Sequence, residues 1–172
     1  YPAVRAGDWG NAWALGSALW YRYPAGKLTV IGVTGTKGKS TVAEMLHAIL
    51  EADGKKTALA STIRFAICEN SRPNLFKMTL PGRGFIQAFL REAVDAGATH
   101  AIVEITSEAA LQYRHFGLAL DALVFTNLQK EHIESHGSFE NYFLAKFTIG
   151  EALARSSKRP RIANLSSLFK TT

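Results

Sequence analysis

The run Gly32-Val-Thr-Gly-Thr-Lys-Gly-Lys-Ser-Thr41 carries the residue types needed to hold a polyphosphate. Gly35 and Gly38 let the main chain turn so that successive N–H groups face an anion, and a helix beginning near Lys39 adds its positive end. Lys39 is spaced to reach terminal phosphates, and the Ser40 hydroxyl to bind Mg²⁺. The strict pattern Gly-x4-Gly-Lys-Ser/Thr fails at one residue, because position 33 is valine while glycine stands at 32 and 35. The strand–turn–helix context still marks a nucleoside triphosphate site, with the Lys37 side chain expected in solvent.

Two further clusters could do chemistry. Glu104 lies near the carboxyl end of the apolar run His100-Ala-Ile-Val-Glu-Ile105, where ligands of open α/β sheets collect. An ionised carboxylate among Ile102, Val103 and Ile105 is costly unless it is paired or binds a metal, so a magnesium role follows. In Thr126-Asn-Leu-Gln-Lys-Glu-His-Ile-Glu-Ser-His-Gly137, His132 and His136 stand at i, i+4 and could both face a zinc ion. The metalloprotease pattern, however, needs glutamate directly after the first histidine, and Ile133 is there.

These residues must be positioned by alternating elements. Leu28 to Val33 is a β-branched apolar run, as in a parallel strand buried on both faces. A helical pattern runs from Lys39 to about Ala52 and is closed by Gly54; Thr57 to Ser61 reads as a second strand. Thr62 to Gly84, with Pro73 and Pro81, is expected as a long loop or a short hairpin excursion. A helix over Phe85 to Ala96 stops at Gly97. His100 to Ile105 is a third strand, a helix starts near Ser107, Ala122 to Phe125 is a fourth strand, a helix covers Phe139 to about Ala154, and Arg161 to Asn164 is a short final strand. This order predicts an α/β fold with an open, mostly parallel sheet flanked by helices. Ahead of it, Trp9 to Tyr23 is too short and too interrupted for a bilayer span; it reads as a connector helix or an edge-covering amphipathic helix ended by Pro24 and Gly26.

The 172 residues, 47% of them hydrophobic, suit about one globular domain and exclude a disordered tail, a collagen-like fibre or a long coiled coil. A net charge of +6 favours polyanionic partners, but the basic residues are scattered rather than striped with aromatics, which disfavours nucleic acid. The single cysteine, Cys68, and the lack of a leader pattern fit a reducing, cytoplasmic setting. The chain opens at Tyr1 rather than Met, and its last residues follow a strand with no closing element, so a piece of a longer protein is expected.

Gly-Thr-Lys-Gly-Lys-Ser-Thr41 resembles the phosphate loop of the Mur ligase superfamily, the ATP-dependent amide-forming ligases of cell-wall precursor synthesis. Glu104-Ile-Thr-Ser-Glu-Ala-Ala-Leu-Gln-Tyr-Arg114 resembles the Glu-Val-Ser-Ser-His-Ala-Leu segment of the tripeptide-forming branch, with Thr106 for serine and Glu108 for histidine. Thr126 to Gly137 resembles Thr-Asn-x3-Asp-His-Leu-Asp-x-His-Gly, with Glu131 and Glu134 in place of the aspartates, and Asn141-Tyr-Phe-Leu-Ala-Lys146 resembles Tyr-x-x-Ala-Lys, whose lysine is carbamylated. Met78-Thr-Leu-Pro-Gly82 matches a Thr-Thr-Pro substrate loop at Thr79 and Pro81, with Leu80 replacing the second threonine; Asn164-Leu-Ser-Ser167 stands where the family shows Asn-x-Asp-Asp.

The resemblance implies that Gly35, Thr36, Lys37, Gly38, Lys39, Ser40, Thr41 and Asn127 bind nucleotide. It implies that Lys39, Glu104, His132 and Lys146 are catalytic, and that Thr79, Ser107 and Arg114 meet the substrate. Magnesium would be held by Ser40, Glu104, His132 and Lys146 as its carbamate. Residues 1–26 would be a connector helix and 27–172 an incomplete central ATP-binding domain, lacking the amino-terminal uridine-binding and carboxy-terminal domains. ATP and Mg²⁺ are then the implied cofactors, and the reaction adds an amino acid to UDP-N-acetylmuramoyl-dipeptide through an acyl phosphate. A folylpolyglutamate synthase-like ligase and a non-catalytic nucleotide-binding module are the alternatives.

Overall fold

The computed structural model describes residues 9–76, 78–129, 138–154, 156 and 158. Helix α1 spans Trp9–Trp20 and leads through a single 3₁₀ turn, Pro24–Lys27, into strand β1, Thr29–Thr34. Helix α2 follows at Lys39–Ala52, then β2 (Thr57–Ala60), a hairpin of β3 (Arg64–Ile67) and β4 (Asn70–Pro73), and helix α3 (Arg83–Asp95). Strand β5 is His100–Glu104, α4 is a short helix at Ser107–Leu111, β6 is Ala122–Phe125 and α5 is Phe139–Ala154.

The strands form one sheet in the order β4-β3-β2-β5-β1-β6. The four strands from β2 to β6 run parallel, as the alternating pattern requires, with Val33 of β1 in register with Glu104 of β5 and Thr34 with Phe125 of β6. The excursion expected between Thr62 and Gly84 resolves into the β3–β4 hairpin, which pairs antiparallel with β2 and lengthens the sheet at that edge. Its four-residue strands are too short for a legible alternation, whereas β1, buried on both faces, announces itself as an apolar run.

The sheet is covered on both sides. Under α2, Val33, Leu59, Ala66 and Ile102 pack with Ala43. The opposite face is larger: Val30, Ala58, Phe65, Ala101, Val103 and Ile105 meet Ile86, Phe89 and Leu90 of α3 and Ile149 and Leu153 of α5. Helix α1 lies against α3 through the buried Ala14 and Ala18 and turns Trp13 and Trp20 outward, 68% and 82% exposed. It unwinds before the expected stop. Arg22 and Tyr23 take positive φ (58° and 48°) and the Tyr23 amide donates to the Ala18 carbonyl, so the chain has left the helix before Pro24. Among the described residues no helix is long and apolar enough to cross a membrane. The strand expected at Arg161 to Asn164 lies outside the described residues, as does the Asn164 to Ser167 motif.

Parallel strands bring all their carboxyl ends to one side. There the loop after β1, the end of β5 and the segment after β6 converge, and α5 closes over them.

Candidate active site

Residues 35–38 form a tight bend whose shape is dictated by two glycines. Gly35 has φ 143°, and a β-carbon on it would stand 2.0 Å from Thr126 Oγ1, so the segment after β6 packs directly on its backbone. Gly38, at φ 77°, precedes α2 and faces open space. Helix α2 starts with no side-chain cap, leaving the first amides of the helix, from Lys39 onward, directed to the mouth of the bend. The Lys39 ammonium arches over the loop and donates to the Thr36 carbonyl at 2.8 Å. The Lys37 side chain is exposed, as its position in the bend suggests.

The bend is braced from three directions. From β6, Thr126 Oγ1 and Asn127 Nδ2 donate to the Lys37 carbonyl (2.7 and 3.0 Å), and Asn127 Oδ1 accepts from the Lys37 amide at 3.0 Å. The side-chain amide of Asn127 therefore supports the phosphate loop from behind. Thr36 donates its amide to the Asn127 carbonyl (2.9 Å), its hydroxyl accepts from the Gln129 amide (2.9 Å), and the same hydroxyl pairs with Tyr142 OH of α5 at 2.7 Å. Below, Thr34 Oγ1 donates to the Ile105 carbonyl at 2.8 Å, tying β1 to β5.

Glu104 is 1% exposed at the end of β5. Its Oε1 accepts from the Ser40 hydroxyl at 3.1 Å and its Oε2 from the Thr62 amide at 2.9 Å. Neither partner carries charge. A hydroxyl and a carboxylate oxygen at the mouth of a phosphate loop are hard oxygen donors of the kind Mg²⁺ selects, and a cation there would offset the cost of burying the carboxylate. Ser40 and Glu104 thus fit the metal that the sequence implies. No group of three or more His, Cys, Asp or Glu able to enclose a metal occurs among the described residues.

Lys146 projects from α5 onto the other flank of the bend. It is 3% exposed and donates to the Gly35 carbonyl at 2.6 Å, with Nζ 4.9 Å from the centre of the Tyr142 ring. Burial first, and then the nearby charge of Lys39, push its pKa down to about 7. Burying this side chain excludes an ordinary surface lysine and yields an amine that is substantially neutral at physiological pH.

Of the residues expected at the substrate, Thr79 is buried and its hydroxyl pairs at 2.8 Å with that of Thr62, the residue whose amide holds Glu104. Leu80, in place of a second threonine, is fully buried core. Arg114 donates to the Leu80 carbonyl at 2.6 Å and so fastens the 78–80 loop. Ser107 is buried in the first turn of α4, which Thr106 caps by accepting from the Ala109 amide, and Glu108 is exposed. Thr79 is thus joined to the Glu104 cluster through Thr62, while Arg114 acts on the loop backbone. His132, with Glu131, Glu134 and His136, lies outside the described residues.

Two contributors carry no role in the sequence reading. Tyr142 stands in the Tyr-x-x-Ala-Lys pattern, one turn before Lys146, and the i, i+4 spacing puts both on the face that meets the bend. Thr62 belongs to a turn with no motif of its own, and nothing local marks it.

The family model of the Mur ligase middle domain matches residues 33–167. A UDP-N-acetylmuramyl-tripeptide synthetase of Roseiflexus sp. (strain RS-1) is 37% identical over 155 residues, which is 89% of this chain and 30% of that protein. A UDP-N-acetylmuramoyl-L-alanyl-D-glutamate--2,6-diaminopimelate ligase of Geobacillus kaustophilus (strain HTA426) is 34% identical over 167 residues, 96% of this chain and 34% of that protein. The solved structure of a UDP-N-acetylmuramoyl-L-alanyl-D-glutamate--2,6-diaminopimelate ligase superposes with a TM-score of 0.67 at 24% identity, covering 85% of this chain and 34% of the other; it speaks to the fold. The chain spans about a third of the length of the curated relatives it matches. On the strength of the family match, this chain belongs to the Mur ligase family, whose middle domain its residues 33–167 match.

Proposed function

We propose that this chain is the ATP-binding portion of a cytoplasmic ligase that joins an amino acid to UDP-N-acetylmuramoyl-dipeptide during peptidoglycan precursor synthesis. The observation that carries the reading is the convergence of Lys39, the Ser40–Glu104 pair and the buried amine of Lys146 on one four-residue bend. In this reading the bend's amides and Lys39 hold the triphosphate, while Ser40 and Glu104 orient a Mg²⁺ ion, which supplies neutralisation of charge developing on the phosphates. Asn127 keeps the loop's main chain in its anion-receiving shape.

The acceptor's terminal carboxylate attacks the terminal phosphorus, the bond to the bridging oxygen breaks, and ADP leaves. The incoming amine then attacks the acyl phosphate, loses a proton and expels inorganic phosphate. Positioning and charge neutralisation are the protein's main contributions to such transfers. Thr79, Ser107 and Arg114 line or shape the acceptor side, and the family resemblance adds His132 as a further metal ligand.

Lys146 has a chemical role that its burial favours. A neutral amine attacks CO₂, a proton is released, and the product is a carbamate that keeps one N–H while gaining a carboxylate. That N–H can still donate to the Gly35 carbonyl, and the new oxygens extend the oxygen-donor surface beside the loop.

The test is phosphate release from ATP by the intact protein. It should require Mg²⁺, UDP-muramoyl-dipeptide and an amino acid together. Turnover with a folate acceptor in place of the muramoyl peptide would move the protein to the polyglutamate-adding relatives; no turnover with either, despite nucleotide binding, would make it a binding module.

A further inference from the structure

The turn that follows β2 is held by more interactions than its four residues need to change direction. Arg64, the first residue of β3, forks onto Glu44 of α2: Nη2 donates to Oε2 at 2.8 Å, and Nε to Oε2 and Oε1 at 3.0 and 3.3 Å. The fully buried Ser61 donates its hydroxyl to the same Glu44 carboxylate at 3.3 Å and accepts the Ile63 and Arg64 amides, each at 3.2 Å. Asn74 closes the far side, donating its side-chain amide to the Ser61 carbonyl at 2.9 Å and its main-chain amide to the Ile63 carbonyl at 3.0 Å. Within this frame sits Thr62, exposed to solvent, with its amide on Glu104 Oε2.

The geometry points to a role for that frame. Glu104 has two oxygens, one directed to Ser40 and one held by Thr62, so the Thr62 amide fixes the rotation of the carboxylate about its last bond. An amide can do so only if its own turn is immobile, and a forked guanidinium–carboxylate pair restrains both distance and plane. We propose that Glu44 and Arg64 are a positioning pair: by clamping the Ser61–Arg64 turn they set the orientation in which Glu104 is presented to the cation that accompanies the nucleotide. Neither residue is among those read above as holding nucleotide or metal. The inference rests on the reading of Glu104 as a magnesium ligand.

The experiment is calorimetric binding of a nonhydrolysable ATP analogue to the intact protein, without metal and across a Mg²⁺ titration. The variants are Glu44→Gln, Arg64→Met, the exchanged pair Glu44→Arg with Arg64→Glu, and Glu104→Gln. In the two single variants of the pair, metal-free affinity should stay at the wild-type value. Their Mg²⁺ midpoint should rise roughly tenfold, as for residues that orient a metal ligand. The exchanged pair should recover most of that rise, which also covers the case in which a single variant fails to fold. An unmoved midpoint in folded single variants, or a parallel fall of metal-free and metal-bound affinity, overturns the positioning role. If Glu104→Gln itself leaves the midpoint unmoved, the magnesium reading has failed first; if it shifts the midpoint while the pair variants do not, only this inference is lost.

Discussion

Lys146 illustrates how surroundings reset the chemistry of a single side chain. Its stem is covered by α5 and the phosphate loop, its nitrogen has the Gly35 carbonyl as partner, and burial beside Lys39 brings its pKa down to about 7. As pH rises through that value the free amine becomes the majority form, and only the free amine captures CO₂. With ¹³C-bicarbonate, a protein-bound carbamate resonance should therefore grow between pH 6 and 8 and be absent from Lys146→Arg. A signal of equal size in the arginine variant would place the carbamate elsewhere. The two glycines of the bend make a second contrast. In Gly35→Ala the backbone conformation alone costs roughly 1–3 kcal/mol, and the new β-carbon, 2.0 Å from Thr126 Oγ1, forces the Thr126–Asn127 brace away. Gly38→Ala meets no neighbour, so its cost is limited to roughly 1–2 kcal/mol for the left-handed backbone. Thermal melts should show the larger loss at position 35. The glycines, Lys39, Ser40 and Glu104 stand out in the sequence because a short local pattern suggests a chemistry for each, and Lys146 stands out through its resemblance to Tyr-x-x-Ala-Lys. Thr62, Glu44 and Arg64 could not, because their roles depend on a pairing across twenty positions and on a turn that only the folded sheet defines.

Elements were legible in proportion to their length and to how one-sided their surroundings are. Helix α5 buries Tyr142, Ala145, Lys146, Ile149 and Leu153, a spacing of three and four that reads as one face of a helix, and a lysine is the anomaly within that face. The β3–β4 hairpin carried no such period: β4 is exposed throughout, and β3 is recognisable only once Phe65 is seen against α3. There Phe65, Phe85 and Phe89 cluster at centroid separations of 5.0–6.5 Å, Phe85 stacked on Phe89 and Phe65 tilted against both, with Phe76 on the rim. Phe89→Ala should cost about 3–5 kcal/mol in a denaturant titration, and because the hairpin frames the Thr62 turn, it should also weaken Mg²⁺-dependent nucleotide binding. On the opposite side, Tyr142→Phe removes the hydroxyl that links α5 to Thr36, while Gln129 remains as a partner for Thr36. The expected loss is about 1 kcal/mol of stability. A loss above that of Phe89→Ala would mean that the tyrosine does more than tether the loop.

At the scale of the whole molecule, the fold keeps basic groups neutral in its interior, and this sets how stability responds to pH. His115 is 4% exposed, its Nδ1 has no hydrogen-bond partner, and burial pushes its pKa down to about 4; His47 and His100 are lowered too, chiefly by burial. A histidine with a folded pKa below its unfolded one binds fewer protons in the native state. Stability is therefore lost as pH falls from the unfolded value of 6.5 towards 4, by roughly 3 kcal/mol for His115 alone. Lys146 works in the same sense at higher pH: its penalty sets in as pH falls from 10.5 to about 7 and is constant below that. In CO₂-free buffer, Lys146→Met should therefore be more stable than the wild type at pH 6, with the difference shrinking as the pH approaches 10, while the variant loses ligase turnover in the intact protein. Such opposition between stability and activity is what the proposed carbamate role of a buried amine entails. A wild type more stable than Lys146→Met at pH 6 would mean that the Gly35 contact outweighs the desolvation of the ammonium, and the amine would then stay protonated at neutral pH and fail to capture CO₂.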